Sequence, residues 1–290
     1  MTATKRIVVG VDGSDESRRA LHWAVEEAAA WDAELDVVHA WDVPFASVAP
    51  PISTTYQADV DEFERAAELL IDTEVAAATG RAAAVPRQVE KIVVRDSAAR
   101  ALLDCAKGAD LLVVGSRGRG GFGGLLLGSV SNQCLHHASC PVVVVRGALD
   151  ESRRGPVLVG IDGSECGRQA LTWAIADAAS NHRPVLALAA WSWLDQPGDF
   201  SPDYGAKDVQ TMAEAAVAQS RCEVSGGGDV DIEIRVVNFR AAPALIEASS
   251  GASLLVVGSR GLGGFRGLLL GSVSNKCVHH AHCPVVVVRG

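Results

Sequence analysis

The sequence LLVVGSRGRGGFGGLLLGSVSNQCLHHASCPVVVVRG at Leu111–Gly147 is repeated near the end of the chain as LLVVGSRGLGGFRGLLLGSVSNKCVHHAHCPVVVVRG at Leu254–Gly290. The two stretches are identical at 32 of 37 aligned positions, at an offset of 143 residues. Self-similarity of this length indicates that the chain contains one structural unit twice. Both stretches begin and end with an apolar run, which predicts a buried β-strand at each end.

The two halves of the chain also begin alike. Val9–Ser14 reads VGVDGS and Val159–Ser164 reads VGIDGS, at an offset of 150 residues. A chain of 290 residues is long enough for two domains of about 150 residues each. We therefore expect two homologous domains at residues 1–148 and 155–290, joined by the short polar run near Ala148–Gly155.

Within each repeat, short apolar runs alternate with stretches that have helical spacing, which predicts an α/β fold with a parallel sheet and helices on both faces. Strands are expected at Arg6–Val11, Leu35–Trp41, Arg87–Val94, Asp110–Gly115 and Pro141–Arg146. Helices are expected at Ser14–Trp31, Ala58–Ala78, Ser97–Lys107 and Ser129–His137. The second repeat follows the same order from Val157–Ile161 to Pro284–Arg289. Ser14 and Ser129 are the expected N-cap residues, and Trp41–Tyr56 is where the second repeat is expected to have lost seven residues.

Composition excludes several classes of function. The net charge is −9, from 26 basic and 35 acidic side chains, so neither half has the cationic excess that binding to a nucleic-acid backbone needs. The sequence contains no run of about 18 apolar residues, so no membrane span is predicted, and the N-terminus does not resemble a signal peptide. Seven cysteines, an odd number, favour reduced thiols in the cytoplasm.

A glycine-rich segment follows the fourth strand of each repeat. Gly115–Gly118 precedes nine residues and then Gly128-Ser129, and the second repeat has the same spacing from Gly258–Gly261 to Gly271-Ser272. Such a turn before a helix can direct several backbone N–H groups at an anion, and glycine allows close approach and positive φ. The alternative interpretation is a flexible turn with a helix cap.

Three motifs of known enzyme classes are either absent from the sequence or broken in one repeat. Gly118–Gly123 formally matches GxGxxG, but it follows the fourth strand, and Arg266 breaks the match in the second repeat. No GxxxxGK[ST] sequence occurs, so the lysine that supports fast phosphoryl transfer is missing. Ser116 lacks the GxSxG elbow of serine hydrolases because Val114 stands at the first glycine position.

The clustered cysteines and histidines also have a simpler interpretation. The cluster spans the end of a predicted helix, at Cys134-x-His136-His137-x2-Cys140 and again at Cys277–Cys283. Because side chains diverge around a helix axis, this position favours buried thiols over zinc ligands. His39 lies in an apolar strand and is expected to be a hydrogen-bonded core residue.

The pattern G-x2-G-x9-G-[ST], with VGVDGS after the first strand, resembles the ATP-binding universal stress protein family over the whole chain, twice. The resemblance implies a five-stranded parallel sheet of order 3-2-1-4-5 with a nucleotide bound between the first and fourth strands. We expect this nucleotide to be ATP, with Mg²⁺ screening the triphosphate. The resemblance implies binding residues in the first repeat at Gly10, Asp12, Ala40, Gly115, Ser116, Arg117, Gly118, Arg119, Gly120, Gly121, Gly128, Ser129 and Val130. In the second repeat it implies Gly160, Asp162, Ala190, Gly258, Ser259, Arg260, Gly261, Gly263, Gly264, Gly271, Ser272, Val273 and Ser274.

Individual roles follow from this resemblance and from the residue types. Ala40 and Ala190 match the position whose backbone reads adenine. Asp12 has three interpretations: an acceptor for a ribose hydroxyl, a ligand of a divalent ion, or an Asx turn before the helix cap. Arg119 adds positive charge near the phosphates, and Leu262 replaces it in the second repeat, so we expect the two sites to differ in affinity.

The last strands carry a prediction about assembly. Pro141–Val145 and Pro284–Val288 are apolar on both faces and would be exposed edges unless paired. In the resembled family these strands pair across a dimer, so this chain is expected to pair its own two copies. Formation of a homodimer of the whole chain stays open.

These observations favour a cytoplasmic, ATP-binding stress-response regulator or sensor with one nucleotide per domain and little or no turnover. Two alternatives stay open: a slow metal-dependent ATPase or nucleotidyl transferase that uses Asp12 or Asp162, and a dimerising scaffold with vestigial pockets. Gly10–Ser14 does not match the SGGxDS loop of adenylating enzymes with related folds. Adenine nucleotide is the expected small-molecule partner, and neither nucleic acid nor a membrane is expected.

Overall fold

A computed structural model describes the chain over residues 4–42, 55–119, 126–147, 155–191, 202–262 and 269–289. The chain divides into two compact units, Met1–Cys140 and Pro141–Gly290. The linker predicted near Ala148–Gly155 lies almost entirely outside the described residues, as does most of Trp41–Tyr56.

The first unit is a parallel sheet of order β3-β2-β1-β4 with four helices. Its strands are β1 (Arg6–Gly10), β2 (Glu34–Trp41), β3 (Gln88–Arg95) and β4 (Leu111–Gly115). Its helices are α1 (Asp15–Ala30), α2 (Thr55–Thr79), α3 (Ala98–Cys105) and α4 (Ser129–His137). The strands expected from the sequence are present within one residue at each end, because apolar runs bounded by polar residues mark them clearly.

β1 and β4 are paired in the sheet, but the segments that follow them lead in opposite directions. From β1 the chain steps outward to β2 and β3, and it then crosses back to β4 on the other side of β1. α1 packs against α2, and α3 packs against α4. Because crossovers between parallel strands are right-handed, the step outward puts α1 and α2 on one face of the sheet and the step back puts α3 on the other. Beyond the carboxyl ends of β1 and β4, helices therefore diverge and leave a crevice.

The second unit has the same topology with two strands added, β5 and β10. Its strands are β5 (Val142–Val145), β6 (Val157–Ile161), β7 (Val185–Trp191), β8 (Ile232–Asn238), β9 (Leu254–Gly258) and β10 (Val285–Val288). Its longer helices are α5 (Glu165–Asn181), α6 (Pro202–Glu223), α7 (Ala241–Ala248) and α8 (Ser272–His280). The strand order β8-β7-β6-β9-β10 is the 3-2-1-4-5 order that the family resemblance implies. The point at which the strand order reverses lies between β6 and β9.

The last strands of the two repeats pair with each other, as predicted. β5 runs antiparallel to β10, with Val143 opposite Val286 and Val144 opposite Val285. All four residues of each strand are buried. Full burial of a valine side chain contributes roughly 1.5–3 kcal/mol, so this all-valine pairing is a substantial part of the core of the second unit.

Two details differ from expectation. The helix α2 has 25 residues and its counterpart α6 has 22, so part of the length difference between repeats lies in the helix and not only in the preceding loop. The N-cap of α4 is Gly128, and Ser129 is the first helical residue. Gly128 has the extended backbone of a cap residue (φ −77°, ψ 160°). The glycine loop ends at Gly128, one residue earlier than a cap at Ser129 would need.

Within the described parts of the chain, no helix is both long enough and apolar enough to span a bilayer.

Candidate functional site

Each unit has a crevice at the carboxyl edge of its sheet. The crevice of the first unit, site 1, lies over the ends of β1 and β4 and encloses a cavity of about 390 Å³. The crevice of the second unit, site 2, lies over β6 and β9 and encloses about 680 Å³. This is where a ligand is expected in a sheet whose strand order reverses.

The turn between β1 and α1 forms one wall of site 1. The Oδ1 atom of Asp12 accepts a hydrogen bond from the N–H of Ser14 (2.9 Å), which is an Asx turn. Ser14 then caps α1 by accepting from the N–H of Ser17 (3.2 Å), as the sequence predicts. Gly13, between them, has a φ of +76°, a conformation that glycine adopts readily.

Asp12 also fixes the glycine loop across the crevice. Its Oδ2 atom accepts from the N–H of Arg119 at 2.8 Å. In site 2, Asp162 does the same with the N–H of Leu262 at 3.1 Å. A Cβ atom at Gly118 would collide with the carboxylate of Asp12, so glycine is required there for the bond to form. The carboxylate therefore joins the turn after β1 to the loop after β4.

The environment of Asp12 favours its charged form. Burial acts to raise the pKa of Asp12, but hydrogen bonds from Ser14, from the N–H of Arg119 and from Ser17 outweigh it. The pKa of Asp12 therefore lies below its ordinary value, and the group is a carboxylate at neutral pH.

The base of the loop is closed by two hydrogen bonds in each unit. In site 1 the N–H of Gly128 donates to the carbonyl of Ser116 (2.8 Å), and the Oγ of Ser131 donates to the carbonyl of Gly115 (2.6 Å). The corresponding distances in site 2, from Gly271 and Ser274, are 2.7 and 2.6 Å. These bonds place the first turn of α4 or α8 against the crevice.

The glycines of the loop have different reasons to be glycine. A Cβ at Gly115 would lie 2.9 Å from backbone atoms of Glu16, so close packing of α1 requires glycine there. At Gly128 and Gly271 the nearest atom to an added Cβ is 3.4 Å away, which is ordinary contact. None of the described glycines of this loop has positive φ, so the expectation that positive φ explains them was wrong. The fold itself leaves room for a side chain at Gly128 and Gly271.

The cations at the crevices differ in their partners. In site 1, Arg117 pairs with Glu16 (Nη2 to Oε1, 3.0 Å). Arg119 lies along the turn after β1, with its guanidinium carbon 3.4 Å from the position of a Cβ at Gly13. In site 2 the equivalent positions hold Arg260 and Leu262, and Leu262 is 76% exposed.

Most of the residues expected from the sequence line the crevices. Site 1 is lined by Gly10, Asp12, Ala40, Gly115, Arg117, Gly118, Arg119, Gly128, Ser129 and Val130. Site 2 is lined by Gly160, Asp162, Ala190, Gly258, Arg260, Gly261, Gly271, Ser272, Val273 and Ser274. Ser116 and Ser259 are instead buried below the loop. Gly120, Gly121, Gly263 and Gly264 lie outside the described residues.

Sequence reasoning missed the apolar walls. Val38 on β2, Leu102 on α3 and Val114 on β4 line site 1, and Leu188, Leu245 and Val257 line site 2. These side chains come from elements far apart in the sequence, and nothing in their local pattern distinguishes them from core residues. The only available signal is their place near the carboxyl end of a strand or on the crossover helix.

The cysteines and His39 behave as core residues. Burial raises the pKa of Cys134 to about 12, and the same cause raises those of Cys277 and Cys283 to about 12, so these thiols stay protonated. All seven cysteines are free thiols. The ring Nδ1 of the buried His39 lies 2.8 Å from the carbonyl of Val11, which confirms the predicted hydrogen bond.

The fold and the two crevices together define a doubly wound α/β protein with a crevice at the switch point of each repeat. The sequence model of the Universal stress protein family matches residues 3–146 and 154–289. The chain belongs to the universal stress protein family, as a tandem of two family domains.

Curated relatives of similar length support this membership. A universal stress protein of Mycolicibacterium smegmatis is 39% identical over 289 residues, covering 98% of this chain and 96% of that protein. One of Mycobacterium tuberculosis is 33% identical over 296 aligned residues, with the same coverage. The crystal structure of a universal stress protein from Archaeoglobus fulgidus superimposes with a TM-score of 0.67 at 18% identity, covering 98% of this chain and 96% of that one, and so shares the fold.

Proposed function

We propose that this protein binds one ATP molecule in each repeat and acts as a nucleotide-dependent regulator or sensor in the stress response, with little or no turnover. The observation that carries the proposal is the pair Gly128 and Gly271. The fold has space for a Cβ at both positions, yet both are glycine and both cap a helix at the crevice. A ligand that approaches the backbone closely explains this choice.

The proposed phosphate contacts are backbone donors. The first N–H groups of a helix have no acceptor within the helix, and the helix dipole favours an anion there. Gly128, Ser129 and Val130 line site 1 at this end of α4. Because Gly128 is the cap, the hydroxyl of Ser129 is not needed for capping and can donate to a phosphate oxygen.

The proposed base and ribose contacts lie on the other side of the crevice. Val38 and Ala40 at the end of β2, with Leu102 of α3, form an apolar surface suited to adenine. Asp12 accepts one backbone hydrogen bond on each oxygen, which leaves lone pairs for a ribose hydroxyl. The Asx turn and the ribose role are therefore compatible in the same carboxylate.

Mg²⁺ fits these crevices as a companion of the triphosphate and not as a separately held ion. Among the lining residues that the structure describes, each crevice has one carboxylate, Asp12 or Asp162. Mg²⁺ commonly keeps several water ligands and uses one or two carboxylates plus phosphates, so these residues suffice. When bound, the ion would neutralise phosphate charge.

Low turnover is proposed for two reasons. The pKa of Asp12 is lowered, so its carboxylate is a weak base for activating water. Of the described residues that line the crevices, none is a lysine. The enzyme alternative requires phosphate release well above background that is abolished in the double variant Asp12→Asn with Asp162→Asn.

The proposed setting is the cytoplasm, where seven free thiols are stable. Nucleic acid and membranes are not among the proposed partners, in keeping with the net charge of −9.

The test is substitution of Gly128 and Gly271 by Asp, separately and together, with ATP binding measured by isothermal titration. Each substitution puts a side chain and a negative charge where phosphate is proposed to bind. We expect two ATP per chain in the original protein, one in each single variant and none in the double variant. The matched control is Gly228→Asp, an exposed glycine with no atom within 4 Å of an added Cβ and outside both crevices. Two bound ATP in the double variant would contradict the proposal, and no binding by the original protein would favour the scaffold alternative.

A further inference from the structure

We propose that, among the residues that the structure describes, each site has one arginine that is free to bind phosphate, and that it is a different arginine in each: Arg119 in site 1 and Arg260 in site 2. These two are not equivalent positions, since Arg260 corresponds to Arg117 and Arg119 corresponds to Leu262. The inference rests on the proposed function, because it assigns the phosphate contacts of the same crevices.

In site 1, the first of the two arginines already has a partner. Arg117 forms an ion pair with Glu16 on the first turn of α1 at 3.0 Å. Glu16 is also 3.4 Å from Arg19, so its carboxylate lies between two guanidinium groups. An arginine held in this way must give up an existing ion pair to reach a phosphate.

The second arginine of site 1 has no such partner. Arg119 lines the crevice and is exposed, and its side chain forms no hydrogen bond or ion pair with any residue in the described part of the chain. Its backbone N–H is fixed by Asp12, which anchors the residue while the guanidinium lies along the turn after β1. Of the cations that the structure describes at site 1, Arg119 is therefore the one that is anchored and unpaired.

In site 2 the two roles are exchanged. Cys166 stands where Glu16 stands in the first repeat, and its backbone packs against Gly258 just as Glu16 packs against Gly115. The position of the carboxylate is therefore taken by a neutral thiol. Arg260 lines the crevice without an ion pair to any described residue, and Leu262 has no charge to offer.

The two differences between the repeats, Cys166 in place of Glu16 and Leu262 in place of Arg119, offset each other. Leu262 in place of an arginine would, taken alone, give the two sites different affinities for phosphate, which is the expectation from sequence. Because Cys166 lacks the carboxylate of Glu16, Arg260 stays unpaired among the described residues, and site 2 regains one free guanidinium. A charge-assisted contact from Arg to phosphate is worth roughly ten-fold or more in affinity, so each site should depend strongly on its own free arginine.

The experiment uses the full chain with one site closed, so that each titration with ATP reports one crevice. With site 2 closed by Gly271→Asp, we expect Arg119→Leu to weaken ATP binding about ten-fold. Adding Glu16→Cys should recover most of this loss, because it recreates in site 1 the arrangement of site 2.

The reciprocal series closes site 1 with Gly128→Asp. We expect Arg260→Leu and Cys166→Glu each to weaken binding about ten-fold, the second by pairing with Arg260. Adding Leu262→Arg to Cys166→Glu should restore affinity. Every residue introduced by Glu16→Cys, Arg119→Leu, Cys166→Glu and Leu262→Arg already occupies the equivalent place in the other repeat, so the fold accommodates it.

The outcomes separate this inference from the function on which it rests. ATP binding that stays within about two-fold in Arg119→Leu and Arg260→Leu, or the absence of recovery in the two paired variants, would overturn the inference and leave nucleotide binding intact. A failure of both single-site parents to bind any adenine nucleotide would overturn the proposed function as well. Circular dichroism of each variant separates loss of binding from loss of fold.

Discussion

At the scale of single residues, Asp12 and Asp162 connect the two segments that form each crevice. Asp12 accepts from Ser14 in the turn after β1 and from Arg119 in the loop after β4. The sequence alone suggested three roles for it, and only the structure shows the bond to the loop. No local pattern could predict that bond, because its two ends are 107 residues apart in the chain.

The substitution Asp12→Asn tests this connection. We expect a loss of about 1–3 kcal/mol in the free energy of unfolding at pH 7. Asn has one oxygen in place of two, so one charge-assisted hydrogen bond is weakened and the other backbone N–H faces the NH2 group of the amide, which cannot accept. The pKa of Asp12 in the folded state is lowered, so its contribution to stability is complete above the unfolded pKa, about 4, and is lost as the pH falls through the folded value. The difference from the original protein in urea denaturation should therefore narrow below about pH 4.

The matched control is Asp231→Asn, an exposed aspartate whose side chain makes no hydrogen bond to the described residues. It should leave stability within about 0.5 kcal/mol of the original. A deficit in Asp12→Asn that is the same at pH 3 and pH 7 would show that the charge of the carboxylate is unimportant.

At the scale of elements, the sequence was sufficient for the strands and helices and insufficient for the cap of α4. Periodicity and the internal repeat located all eight expected elements of the first repeat that the structure describes, and β5, because apolar spacing is a local property. Gly128 and Ser129 are both acceptable cap residues by type. Which of them caps the helix depends on where the loop closes, through the bond from Gly128 to Ser116, and that is a tertiary property.

A comparison of Ser14→Ala with Ser129→Ala tests this assignment. Ser14 caps α1 with its side chain, so we expect Ser14→Ala to cost about 1 kcal/mol of stability. Ser129 is inside the first turn of α4 and its hydroxyl does not cap, so Ser129→Ala should leave thermal unfolding almost unchanged while weakening ATP binding. Equal losses of stability in the two variants would contradict the assignment of Gly128 as the cap.

At the scale of the molecule, the chain uses its repeated strand to bury an edge. The sequence showed two all-valine strands, and the family resemblance supplied the expectation that they pair. The observed register places Val143 opposite Val286. The crevices were foreseen less completely, since their glycines form a motif but their apolar walls come from β2, α3 and β4, which only the assembled fold brings together.

The variant Val143→Asp tests the contribution of this pairing. A carboxylate at a fully buried position without a partner should cost about 3 kcal/mol or more, measured by urea denaturation and by the soluble fraction. Val85→Asp makes the same change at a valine that is 61% exposed and should have little effect. Comparable stability of the two variants would mean that the β5–β10 pairing adds little to the core.

The central claim is that backbone amides at Gly128–Val130 and Gly271–Val273 hold the phosphates of a nucleotide. The most direct measurement is a crystal structure of the full chain grown with excess ATP and Mg²⁺. We expect triphosphate density in both crevices, with phosphate oxygens within hydrogen-bond distance of these N–H groups. Two crevices that hold only solvent under those conditions, or nucleotide bound elsewhere on the chain, would contradict the account.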